Sequence, residues 1–89
     1  MQKYELRDQG ADYGEVLLAF AESFNLECKE TTLRSLPPNL HWHLRKPFEK
    51  GTLEITWLRE TGETWLAVHS NRMGDWIPAV ITELQRRFG

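Results

Sequence analysis

The chain has 89 residues, 40% of them hydrophobic and 27% charged, with four Trp, four Phe and a net charge of −2. That size and mixture fit one folded domain, and exclude both an aromatic-poor disordered segment and a second independent core. Acids and bases are interspersed along the whole length, so no basic stripe exists to neutralise a run of phosphates, and nucleic acid is a disfavoured partner.

At the amino terminus, Met1 to Asp8 alternates charged with apolar residues, where a signal peptide needs an unbroken apolar core. No stretch is long enough to cross a bilayer, so no membrane partner is expected and the expected location is cytoplasmic. Cys28 is the only cysteine, which fits a reducing compartment and rules out an internal disulfide.

Tyr4 and Leu6 alternate with charged neighbours and suggest a short first strand. From Asp12 the spacing becomes helical, with Val16, Leu17, Phe20, Ala21 and Phe24 on one stripe. Asp12 and Glu15 resemble a capping box, and Asn25 suits a left-handed helix end. The segment Leu26 to Leu33 reads either as an edge strand or as irregular chain. Paired prolines in Ser35-Leu36-Pro37-Pro38-Asn39 then force a connection.

Three segments of period two follow: Leu40 to Arg45, Thr52 to Leu58 and Thr64 to His69. They read as an antiparallel three-stranded meander, to which one or two N-terminal strands can be added. With 47–50 as a four-residue loop, Leu44 faces Leu53, Trp42 faces Ile55 and Leu40 faces Trp57. With Thr61-Gly62 as a two-residue loop, Glu60 faces Glu63, Trp57 faces Leu66, Ile55 faces Val68 and Glu54 faces His69. Apolar residues meet apolar residues across both hairpins, which a one-residue slip would destroy. After 70–74 the helical period returns with Ile77, Val80, Ile81, Leu84 and Phe88; Asp75 is the candidate N-cap and Pro78 falls in the first turn. The expected fold is α+β in two layers, with both helices packed on one face of the sheet. A core of this size leaves modest net stability, which a homodimer would raise.

The same register gathers His43, Glu54 and His69 in one row on the other face, with His41 beside His43. Neighbouring strands lie about 4.8 Å apart and alternate residues about 6.8 Å apart, so these four side chains can converge on a divalent metal such as zinc or form a proton-sensitive cluster. The alternative is an ordinary solvated sheet face on which Glu54 pairs with its imidazole neighbours. Toward the second hairpin tip, Leu58 opposite Trp65, together with Phe48 from the first loop, would make an apolar binding surface.

The order helix, meander, helix over 12–88 is similar to that of double-stranded RNA-binding domains. That family grips phosphates with a lysine cluster at the start of its last helix. Here the stretch is Asn71-Arg72-Met73-Gly74-Asp75, with one base and one acid, so RNA binding is not carried over. No glycine-rich phosphate loop or Gly-x-Ser-x-Gly is present, and the remaining catalytic option is Cys28 paired with one of the histidines. Two functions stay open: an interaction or regulatory module, leaning away from an enzyme, that binds a protein partner or a second copy of itself through the open sheet face or an edge strand; and a metal-binding or metalloenzyme domain using His41, His43, Glu54 and His69.

Overall fold

The computed structural model describes residues 2–7, 13–32, 40–58 and 60–89. These residues form an α+β fold in the order β1 (Gln2–Leu6), α1 (Tyr13–Ser23), β2 (Glu27–Thr32), β3 (Leu40–Arg45), β4 (Leu53–Trp57), β5 (Thr64–Val68) and α2 (Ile77–Phe88). A short 3-10 turn, Ser70–Arg72, joins β5 to the approach of α2. All five strands belong to one antiparallel sheet ordered β1-β5-β4-β3-β2. Both optional N-terminal strands are therefore present, one at each edge, and 27–32 is a strand rather than irregular chain. Among the described residues, no helix is long and apolar enough to cross a membrane.

The β3–β4 register is the expected one, with Leu44 opposite Leu53, Trp42 opposite Ile55 and Leu40 opposite Trp57. Lys46 and Glu49 close the turn through a backbone bond and an ion pair, and Phe48 takes φ +66° at its tip.

The β4–β5 register is shifted by two residues from the sequence expectation: Trp57 pairs with Thr64, Ile55 with Leu66 and Glu54 with Ala67. The cause lies in the loop. The Leu58 N–H donates to the Glu63 carbonyl, and the Gly62 N–H, at φ +74°, donates back to the Leu58 carbonyl. The connection is thus the four residues 59–62, not Thr61-Gly62 alone, and Glu60 does not face Glu63. Because side chains alternate with period two, a two-residue shift leaves every residue on its expected face.

One apolar cluster holds the fold together. Leu17, Phe20 and Ala21 of α1 and Ile77, Val80, Ile81 and Leu84 of α2 meet Trp42, Leu44, Leu53, Ile55, Trp57, Leu66 and Val68 of the sheet. Tyr13 extends the α1 stripe by one turn and stacks on Trp42 at 5.6 Å between ring centroids. Asn25 takes φ +56° and ends α1 as expected, with the Leu26 N–H returning to the Ala21 carbonyl. The capping box at Asp12 and the break at 35–39 lie outside the described residues.

Asp75 does not cap α2. Trp76 is the N-cap residue, no side chain accepts an orphan amide there, and the Ile77 N–H bonds to the Gly74 carbonyl. Trp76 is anchored instead by its indole N–H, which donates to the Lys50 carbonyl at 3.0 Å. Gly74 packs so closely on that carbonyl that a Cβ would collide with it. The first hairpin loop therefore sets the entry of α2.

Candidate metal centre

Strands β3, β4 and the end of β5 bring His41, His43, Glu54 and His69 together on the sheet face away from the apolar cluster. His43 lies directly across from Glu54, and His41 across from Thr56. His69 reaches Glu54 diagonally, since the residue opposite Glu54 is Ala67.

The carboxylate is the hub. Its Oε1 lies 2.9 Å from Nε2 of His41 and 3.3 Å from Nε2 of His43, and its Oε2 lies 2.8 Å from Nε2 of His69. The two nitrogens of His41 and His43 are 3.1 Å apart, with their rings nearly perpendicular. Oε2 is buried and has no hydrogen bond among the described residues: the His69 nitrogen is close, but not oriented as a donor to it. Side-chain exposure rises outward from the hub, from 13% for Glu54 and 14% for His41 to 30% for His43 and 43% for His69.

Second contacts orient the innermost ring. Nδ1 of His41 lies 2.8 Å from Oγ1 of Thr56, a threonine that is only 5% exposed. With the ring N–H at Nδ1 donating to that oxygen, the lone pair of Nε2 is left for a ligand. Thr56 was readable from the β3–β4 register, which places it opposite His41; attention to charged types alone passes over it.

Electrostatics shape the same group. Burial lowers the proton affinity of His43, as do the charges of His41 and Arg72, against the opposing pull of Glu54. For Glu54, burial alone would raise the pKa. The His41 hydrogen bond and the charges of His41, His69 and His43 outweigh it and hold the carboxyl below its ordinary value. The cluster thus favours a carboxylate beside a neutral His43, which is the protonation state that metal ligation requires.

One atom from each of His41, His43 and Glu54 falls in a mutual group within 4.8 Å, and His69 stands outside it. Ligands about 2.0–2.1 Å from a tetrahedral zinc ion stand about 3.3–3.4 Å from one another. The triangle His41 Nε2, His43 Nε2, Glu54 Oε1 has sides of 3.1, 2.9 and 3.3 Å, close to one face of such a tetrahedron.

Of the apolar sequence candidates, Leu58 and Trp65 stand diagonal on one face and Phe48 lies apart from both. Leu58 bonds across the hairpin to Glu63, so it does not oppose Trp65. Trp65 lies opposite Thr56 and Glu5, half-buried, with Nζ of Lys3 4.0 Å from its ring centroid. Phe48 is fully exposed, but sits on the loop before β4, at the opposite end of that strand from Leu58. No single patch joins the three. Cys28 pairs with Leu44 and packs against the apolar cluster, on the other side of the sheet from the histidines. Burial, with the Glu30 charge, raises its thiol pKa, so a Cys–His nucleophile is not assembled.

No protein-family description, curated protein or solved structure matches this chain.

Proposed function

We propose that this chain is a metal-binding module that holds one divalent ion of the zinc class through Nε2 of His41, Nε2 of His43 and the carboxylate of Glu54, with His69 alongside. The observation that carries the reading is the ligand triangle, one side of which, at 3.3 Å, equals the edge of a tetrahedral zinc site, while the other two, at 2.9 and 3.1 Å, are a few tenths of an ångström shorter. Two bare imidazole nitrogens at 3.1 Å repel each other unless a proton or a cation lies between them. Imidazole with carboxylate is also the donor set expected for zinc and neighbouring transition ions rather than for magnesium or calcium. In this reading the helices form one layer over the core side of the β3–β4–β5 meander, leaving the opposite face to the imidazoles. A reducing cytoplasmic setting suits the single thiol.

Calorimetric titration of the chelator-stripped protein with zinc tests it. One ion per chain is expected. His43→Ala and Glu54→Gln should each weaken binding by at least about 100-fold, the upper end of what losing a mere hydrogen-bond partner of a ligand costs. Failure of the stripped chain to take up zinc refutes the proposal.

A second reading, self-association or binding of a protein partner, draws on Phe48, a fully exposed aromatic on left-handed backbone at the first hairpin tip. Sedimentation at rising concentration tests it, with Phe48→Ser expected to abolish any association. A monomer throughout would remove self-association.

A further inference from the structure

The geometry points to an exchangeable fourth position on the ion, taken by a small oxyanion that Arg72 helps to hold. This rests on the metal reading above. Three protein ligands with an open position mark sites that bind exogenous groups, whereas closed structural sites use four. Here the three preassembled atoms belong to His41, His43 and Glu54. His69 is the most exposed member, meets only the far carboxylate oxygen and makes no hydrogen bond to it. It is a displaceable neighbour rather than a fixed corner.

Charge decides what fills the position. A divalent ion with two neutral imidazoles and one carboxylate keeps a net charge of +1, which attracts an anion to the position that water otherwise fills. The rim adds to this. Lys29 stands directly across from His43 on β2. Arg72 closes the 3-10 turn that follows His69: its N–H donates to the His69 carbonyl and its carbonyl accepts from Thr52, both at 2.9 Å. Thr52 precedes Leu53, the partner of Leu44, so Arg72 is held at the His43 end of the cluster. No carboxylate pairs with Arg72 among the described residues, and its side chain is exposed. A guanidinium presents paired N–H donors that fit carboxylate and phosphate oxygens alike.

The test is the visible spectrum of the cobalt(II)-loaded full chain, titrated separately with acetate and with inorganic phosphate. Saturable change with either anion is expected, and the stronger arm identifies a carboxylate or a phosphoryl ligand. His69→Ala should retain the cobalt spectrum and its anion response. Arg72→Ala should keep cobalt and weaken the anion by about tenfold, the scale of one charge-assisted hydrogen bond at a solvated rim. A cobalt spectrum indifferent to both anions overturns the inference while leaving the metal reading intact. So does a His69→Ala chain that loses cobalt as fully as His43→Ala. An anion response unchanged by Arg72→Ala overturns the role given to Arg72. Absence of any cobalt spectrum overturns the metal reading, and this inference with it.

Discussion

Thr56→Val removes one hydroxyl from beneath the candidate metal centre and changes little else, because valine has nearly the same shape and the site is only 5% exposed. What is lost is the 2.8 Å contact with Nδ1 of His41. As a hydrogen bond it contributes about 1 kcal/mol to stability. As a constraint on the ring it matters more for binding, since partners that orient a ligating histidine typically set 10–100-fold in metal affinity, or about 1.4–2.8 kcal/mol. A neutral hydroxyl belongs in the lower half of that range, so about 10–30-fold weaker zinc binding is expected. Competition with a chromophoric chelator measures the affinity, and melting of the metal-free protein measures the stability. Thr56→Ser, which keeps the oxygen, should restore most of the affinity. The reasoning is refuted if the valine variant binds zinc as tightly as the parent, or if the serine variant loses as much as the valine.

Zinc at 100 times its dissociation constant should stabilise the fold by about 2.7 kcal/mol, raising the melting midpoint by roughly 10–20 °C in a domain of this size; calorimetry that shows no rise counts against the centre. The metal-free protein should lose stability as pH falls. His43 has a folded pKa below its ordinary 6.5, and Glu54 one below 4.5, so in each window the unfolded chain binds more protons. The contribution is fully present above the ordinary value, and is lost as pH drops toward the folded one; His43→Ala should flatten the step just below pH 6.5 in a series of melts. Gly74→Ala drives a methyl group into the Lys50 carbonyl and should cost more than about 2 kcal/mol in urea unfolding.

The face of each strand residue could be read from the sequence, because it depends only on parity. Trp42, Leu44, Ile55 and Leu66 fall inward and His41, His43 and Glu54 outward, whether the second hairpin closes over two residues or four. Register needed more. The turn at Gly62 is closed by backbone bonds to Leu58 that no side-chain pattern announces, and that shift takes His69 off the row and leaves it diagonal to Glu54. It also moves Leu58 from directly opposite Trp65 to a diagonal position on the same face, while Phe48 stays at the far end of β4. Helix ends were legible where one residue determines the backbone, as at Asn25, and not where tertiary contact does, as at Trp76 and Gly74. Tyr13 and Trp76 escaped the core assignment because each sits at the margin of a helical stripe and is buried by neighbours distant in sequence.

The place of β1 in the sheet has a kinetic consequence. It pairs with β5, about sixty residues away along the chain, while every other strand neighbours the one before or after it in sequence. Closing so large a loop is entropically slow compared with zipping the local hairpins, so this edge should assemble late and open first. Its latch is visible at the far end: the Arg7 amide donates to the Phe88 carbonyl, and the Arg7 guanidinium donates to that of Arg87 at 3.0 Å. Peeling β1 away would therefore free the last turn of α2 in the same event, coupling the exchange of amide hydrogens at two places that the sequence keeps far apart.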